Sequence, residues 1–373
     1  MSITKKPENA KRKGNLVMKG LKIFFITLGA SLFLVIVLFI FFFIPWIKKQ
    51  AIAYVEEHSE YTLKMNSIAF IGLHDVEITG IEFRPKLALD QFYKENSTER
   101  DWIKGKGHLS LEGVDWRAFI RDKKMYADKI SFNEMEIYIF RDKRKPDGPY
   151  KKKFLHSALL RNAFYTMTFP VVELVNSKIE YEEHPEEGSE AIINFTNLQG
   201  TLLNLSNDSF YTLKHPEVVL TAKGMILDSI EGRMIYKFST VNKKDHFSFE
   251  GHTGPFPASL FNKCTIPMAG CNVKSGYVKR IDLFFHANNQ SSNGTIDIDY
   301  DGLEVDFHKK NTAFMKFFIR EDDRKRNGKE RKAGEIDCTR DTGSSVFNYW
   351  WASIKSGLLS SITIKLPFQK KKK

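Results

Sequence analysis

Residues 23–46 form an unbroken run of twenty-four residues without a charged side chain; seven are Phe, and only Thr27 and Ser31 carry hydroxyls. As a helix this run spans about 36 Å, more than the ~30 Å hydrocarbon core of a bilayer. It has no polar face with which to sit on a soluble core. The run therefore predicts a single transmembrane helix over 23–46. Lys5, Lys6, Lys11, Arg12, Lys13, Lys19 and Lys22 precede it, whereas only Lys48 and Lys49 follow closely. That bias places a basic tail, residues 1–22, in the cytoplasm. A cleaved signal peptide is the competing reading, but its apolar region would be about 7–15 residues. Later apolar stretches, such as 314–319, are too short to cross.

The formal charge of +12 is unevenly placed. Residues 1–22 carry a net +6 and lysines 370–373 a further +4, which leaves +2 for everything between. A nearly neutral body removes the compositional support for a nucleic-acid partner. At 42% hydrophobic and 13% aromatic, the chain can bury a sizeable core. Three Cys are too few for a disulfide scaffold or a Cys-rich zinc module.

A short helix is predicted over 47–60, where Ile47, Ala51 and Val55 recur at helical spacing. After it the period changes to two. Ile296, Ile298 and Tyr300 alternate with Asp297, Asp299 and Asp301; past Gly302, Leu303, Val305 and Phe307 alternate with Glu304, Asp306 and His308. These two runs read as a hairpin turning at Asp301-Gly302. Similar alternation at 135–139, 234–238, 247–249 and 277–285 suggests about a dozen strands between Tyr61 and Phe307. Helical patterns do not alternate with them, which argues against a parallel α/β sheet. A recurring pattern around Gly80, Gly113 and Gly224 reads as a bulge that shifts the period while keeping one face apolar, or as a plain strand end.

The expected fold is mainly β: an N-terminal transmembrane helix, then a long twisted antiparallel sheet as groove or open sandwich. A few short helices and a C-terminal amphipathic helix accompany it. A first β section over 47–145 and a second over 146–319 precede an exposed charged loop at 320–334. Residues 335–373 then hold a strand, the amphipathic helix and a basic tail.

Beyond the anchor come Tyr61-Thr62-Leu63-Lys64-Met65-Asn66-Ser67-Ile68, then the run from Phe169 through Asn176 and Ser177 to Glu183. Ser275-Gly276-Tyr277-Val278 follows, then Tyr300-Asp301-Gly302-Leu303 and a Trp-containing helix ending near Gly357. In this order the chain resembles the AsmA-like and TamB-like envelope proteins of Gram-negative bacteria, over residues 20–360. The resemblance implies a periplasmic β-groove with an apolar lining, tethered to the inner membrane by one pass. It further implies non-catalytic work in envelope lipid handling or outer-membrane homeostasis. Membrane lipids, and possible further copies or other envelope proteins, would be the partners. About 325 exported residues make only a short groove, so a full bridge across an envelope would need more than one chain.

The apolar face of such a sheet must meet a second sheet, a helix or an apolar ligand. The candidate lining for an acyl chain is Tyr277, Ile281, Leu283, Phe285, Ile296, Ile298, Tyr300, Leu303, Val305 and Phe307. A self-filled sandwich, acting as a tethered scaffold or interaction protein, is the alternative. Asp297 and Asp299 form a D-x-D, with which lumenal glycosyltransferases of the same topology hold a divalent ion. Their alternation with Ile and Tyr reads more simply as a solvated strand face. No catalytic residue, cofactor or metal ligand is assigned, since no other signature of that chemistry occurs. Cys264 and Cys271 bracket a Pro/Gly-containing loop short enough for a structural disulfide, with free thiols as the alternative. Phe347, Trp350, Trp351, Ile354 and Leu358 form a helical stripe that either caps the sheet or lies on a membrane surface; Gly357 weakens that helix.

Overall fold

The computed structural model describes residues 44–94, 101–145, 152–242, 244–307, 319–323 and 333–363. The expected membrane span lies outside them except for its last three residues, which open the helix α1 (Ile44–His58). Among the described residues no helix is long and apolar enough to cross a membrane. Residues 1–59 and 60–373 divide into two compact units, and the second holds the whole sheet.

There β1 (Tyr61–Lys64) and β2 (Ser67–Ile71) share one partner, β3 (Asp75–Pro85). Helix α2 (Leu89–Lys94) leads to β4 (Asp101–Glu112), α3 (Trp116–Asp122) to β5 (Lys124–Tyr126) and β6 (Lys129–Asp142), and α4 (His156–Arg161) to β7 (Thr166–His184). Then follow β8 (Ala191–Ser206), α5 (Ser209–Lys214), β9 (Glu217–Ile226), β10 (Ile230–Ser239), β11 (Phe247–Thr253) and β12 (Phe256–Pro257). The chain ends with α6 (Asn262–Ala269), β13 (Cys271–Ala287), β14 (Ser291–Phe307), β15 (Gly334–Thr339) and α7 (Val346–Ile362).

Among the described residues all fifteen strands belong to one sheet, in the order β1-β3-β4-β6-β7-β8-β9-β10-β11-β13-β14-β15, with β2 on β3, β5 on β7 and β12 on β13. The two β sections are thus one sheet. It is not antiparallel throughout: β7 runs parallel to both β5 and β6. The connection between β6 and β7 carries the chain back to the strand ends where β6 began, and a chain that returns before pairing must pair parallel.

Strand register explains the apolar face. One row of facing residues runs Phe70, Val76, Leu111, Ile130, Val172, Leu202, Leu220, Tyr236, Phe249, Phe285, Gly294 and Ile336. Its neighbour runs Ile68, Ile78, Leu109, Phe132, Leu174, Gly200, Ala222, Met234, Gly251, Leu283 and Ile296. A one-residue slip in any strand would turn that strand's apolar set outward. Yet residues are inserted, at one level of the sheet. Gly80, Glu134, Asn176 and Asn197, on β3, β6, β7 and β8, have φ of 57°, 51°, 45° and 51° beside register shifts. Each shift keeps a pair five apart in sequence on one face: Ile78 and Phe83, Phe132 and Ile137, Leu174 and Ile179, Phe195 and Gly200. Ser177 closes the β7 bulge, its buried hydroxyl accepting from the Met135 amide at 3.0 Å and donating to the Val175 carbonyl at 3.0 Å.

The glycine readings divide. Gly80 is a bulge; Gly113, with φ 67°, follows the end of β4; Gly224 lies inside β9, opposite a shift on β8. The hairpin expected at Asp301-Gly302 does not form, because β14 runs unbroken from Ser291 to Phe307. Asp301 pairs with Tyr277 and Glu304 with Ser275, so β13 holds both sides of Gly302 (φ 61°) and the extra residue is absorbed as a bulge.

Helices cover the second half of this face. The α7 helix lays Val346, Tyr349, Ser353, Gly357 and Ser361 against β14 and β15. A Cβ at Gly357 would stand 2.6 Å from Ile336 Cγ1 and 2.7 Å from Ile296 Cγ2, so the glycine that weakens the isolated helix is what lets it dock. Leu155 and Leu160 of the β6–β7 crossover enter the same core, and α6 touches both β8 and β13. The crossover is fastened through the buried Asp245, which accepts from Ser157 Oγ at 2.8 Å, from Arg161 and from Asn289 Nδ2 at 2.9 Å. Arg340 donates to Asn289 and to the Lys153 carbonyl. Burial pushes the Asp245 carboxyl up, but these donors outweigh it and hold it below the usual range.

Two stability predictions follow from this packing. Gly357→Ala should cost about 1–3 kcal/mol in urea unfolding, through forced displacement of Ile296 and Ile336. His156 lies among the rings of Tyr236, Phe238, Phe347 and Trp350, its Nδ1 3.1 Å from the Tyr236 hydroxyl. Burial lowers its pKa from 6.5. The folded chain therefore binds fewer protons than the unfolded one, and stability falls as pH drops below about 6.5. Thermal melts at about pH 7.5 and about pH 5.5 should show a loss in Tm that is smaller in His156→Gln. An equal loss in that variant would place the acid sensitivity elsewhere.

Candidate functional site

The lining expected on β13 and β14 is filled by protein. Phe285, Ile296, Ile298, Tyr300 and Val305 are buried, and Ile281, Leu283, Leu303 and Phe307 are half-buried against the same core. Part of the filling comes from residues 319–323, at the start of the stretch expected as an exposed loop. Ile319 bridges Thr363, the Leu303 amide donates to the Glu321 carbonyl at 2.7 Å, and the Asp323 amide donates to the Tyr300 carbonyl at 3.3 Å. Burial pushes the Tyr300 phenol up to about 12. Tyr277 is 47% exposed: shifts flanking Gly276, with φ 129°, give the inward place to Val278.

The same face is uncovered elsewhere. Past the row of bulges, Leu63, Phe83, Gly105, Ile137, Ile179, Phe195 and Ile226 face one another in register from β1 to β9. One step further, Ile103, Ile139, Tyr181 and Ile193 do the same on β4, β6, β7 and β8. Leu63, Phe83, Ile103, Ile137, Ile139, Ile179 and Phe195 are half-buried, and none joins a packed cluster among the described residues, whereas Ile193 and Ile226 at the strip's edge pack against the core of the second half. Nearby α2 packs on the opposite face, with Leu89 and Phe92 against Trp102 and Phe140. Gly105 leaves space for the Phe83 ring, whose nearest carbon would lie 2.5 Å from a Cβ there. At ~4.8 Å per strand the open part of the strip, from β1 to β8, is about 24 Å long. The tail of one bilayer leaflet, half of a ~30 Å core, would fit along it.

Polar groups mark one margin of the strip. Tyr181 donates to Glu183 at 2.6 Å, Lys143 pairs with Glu183 at 2.6 Å, and Arg141 pairs with Asp101 at 3.4 Å. Burial, then the Glu183 bond, raises the Tyr181 phenol above its ordinary value, so it stays a neutral donor. Nearby, His184 Nε2 is 3.1 Å from Glu182 and 3.4 Å from Glu190, and Tyr138 donates to Glu182 at 2.7 Å. Their ligand atoms lie within 4.8 Å of one another and could hold a divalent cation. The readable signal was the Glu182-x-His184 alternation, which puts both side chains on one face of a strand.

The other singled-out residues take structural places. Asp297 pairs with Arg280 at 3.0 Å, and Lys279 pairs with Asp299 at 3.4 Å and Asp301 at 2.7 Å, a ladder of cations and carboxylates along β13 and β14. Cys264, Cys271 and Cys338 are free thiols. The segment between the first two is mostly helix α6 rather than a loop; Cys264 Sγ faces the Ile192 carbonyl of β8 at 3.3 Å, and burial pushes this thiol up to about 11. On α7, Trp350, Ile354 and Leu358 pack on the core as a cap, whereas Phe347 and Trp351 stay exposed. No protein-family model matches the chain, and no curated protein sequence does.

Proposed function

We propose that this chain is a single-pass, membrane-tethered exported protein that accommodates an acyl chain without catalysis, in lipid handling within a bacterial envelope. The observation that carries this reading is the strip on β1–β8, where seven half-buried apolar side chains lie outside every packed cluster of the described residues. Each methylene buried there contributes about 0.8 kcal/mol, so ten would supply about 8 kcal/mol before the cost of ordering the tail. The site is therefore displaced from β13–β14 to the strands that the helices leave bare. The alternative, a packed scaffold that binds only proteins, draws support from the filled second half of the same sheet.

The test is lipid carried through purification. Full-length protein transferred from mild detergent to amphipol should retain extractable phospholipid. Ile137→Asp/Ile179→Asp, which places two charges on the strip, should retain less than about a fifth as much. A wild-type chain without lipid, or a variant carrying the same amount, would sink the acyl-chain reading and leave the scaffold.

A further inference from the structure

Three side chains converge where the β7–β8 hairpin turns. Glu182 and His184 lie two residues apart on β7 and so share one face of the strand, the face away from the strip that Ile179 and Tyr181 line. Glu183 pairs with Ala191 across the ladder, which sets Glu190 opposite His184. His184 Nε2 is 3.1 Å from Glu182 Oε1 and 3.4 Å from Glu190 Oε1. That nitrogen carries at most one proton, so a single N–H cannot account for the approach of both oxygens. A zinc ion with four bonds of ~2.0–2.1 Å sets neighbouring ligand atoms about 3.3 Å apart, a value that lies between the two separations.

Neighbouring groups hold two of the three donors in place. Tyr138 of β6 donates to Glu182 Oε2 at 2.7 Å, which leaves Oε1 turned toward the imidazole. The Phe140 ring lies against the His184 ring with centroids 4.8 Å apart, and the His184 carbonyl accepts from the Lys143 amide at 2.9 Å. Contacts of this kind behind the ligands fix their direction before an ion arrives.

The cations of this corner are already engaged. Arg141 pairs with Asp101, Lys143 with Glu183, and Arg144 with Asp142, which stands opposite His184 on β6. Lys263 of α6, the helix that touches β8, is exposed and pairs with none of these carboxylates. Among the described residues no Lys or Arg pairs with Glu182 or Glu190, and Glu180, Glu186 and Glu187 are further exposed carboxylates of the same stretch. His184 can offset only one of its two carboxylates, and only when protonated. Glu182 is half-buried, and a carboxylate withdrawn from water beside another one favours a bound cation. An imidazole among carboxylates suits Zn²⁺, whereas Mg²⁺ and Ca²⁺ take oxygen ligands. We infer that Glu182, His184 and Glu190 bind one Zn²⁺, which clips the ends of β7 and β8 together. The inference stands independently of acyl-chain binding, which uses the other face.

Full-length protein without a histidine tag, held in dodecyl maltoside and stripped with EDTA, tests it by competition with a chromophoric zinc chelator. The wild type should take up one Zn²⁺ per chain with a Kd of about 1 μM or below, and about a tenfold excess of Mg²⁺ or Ca²⁺ should leave it bound. His184→Ala and, separately, Glu190→Gln should each weaken binding about tenfold or more. Zinc should raise the Tm of the wild type and leave that of both variants unchanged. Glu190 is more than half exposed, so Glu190→Gln keeps the fold, and metal-free circular dichroism melts check this. A wild type that takes up no zinc at that affinity would overturn the inference. So would variants that bind zinc as the wild type does, which would place the ion elsewhere in the chain. Displacement by an equal concentration of Ca²⁺ would do the same, leaving only a group of surface carboxylates.

Discussion

The structure depends on keeping one face of a fifteen-stranded sheet apolar while the chain inserts extra residues into its strands. Side chains alternate along a strand, so each insertion threatens to turn half of the strand inside out. Placing the insertions at one level, at Gly80, Glu134, Asn176 and Asn197, lets adjacent strands change phase together, and the apolar rows continue on both sides of that level. Ser177 shows the local cost being met: the amide and carbonyl that the β7 bulge takes from the ladder are both satisfied by one buried hydroxyl.

What distinguishes the two halves of the sheet is coverage and not composition. On β10–β15 the apolar face is closed by α7, the crossover segment and residues 319–323, and Phe285 and Ile296 have no solvent exposure. On β1–β8 the residues before the bulges, Val76 and Ile130 among them, are buried in a cluster of their own, and past the bulges similar side chains in similar register are left half-buried. The acyl-chain reading rests on that difference, because an apolar row without a protein lid is the part of the molecule with surface still to remove from water.

Much of this was legible in the residues, and the misses have specific causes. The strands at 135–139, 234–238, 247–249 and 277–285 and the C-terminal helix follow from period alone. The change of phase shows in the sequence at glycine, and the same five-residue spacing across Asn176, from Leu174 to Ile179, is equally readable, since Asn enters the left-handed region more easily than most residues. Glu134 carries no such mark. Asp301-Gly302 is ambiguous in principle: the dipeptide suits a hairpin turn or a bulge, and only the continued pairing with β13 decides. The parallel junction and the open strip were out of reach, because both depend on where α4 and α7 land, and that is fixed by contacts with residues up to about two hundred positions away, such as Arg340 with Lys153.

That last contact bears on how the molecule can be assembled. The crossover between β6 and β7 sits before the middle of the sequence, yet its fastening requires Asp245, Asn289 and Arg340, the last of which follows all fifteen strands and opens the connection from β15 to α7. A nascent or translocating chain would hold its central segment unlatched until almost the whole polypeptide had emerged. The middle of the sheet is thus a late clasp, closed by the C-terminus, and any truncation before residue 340 would leave unfinished a region laid down nearly two hundred residues earlier.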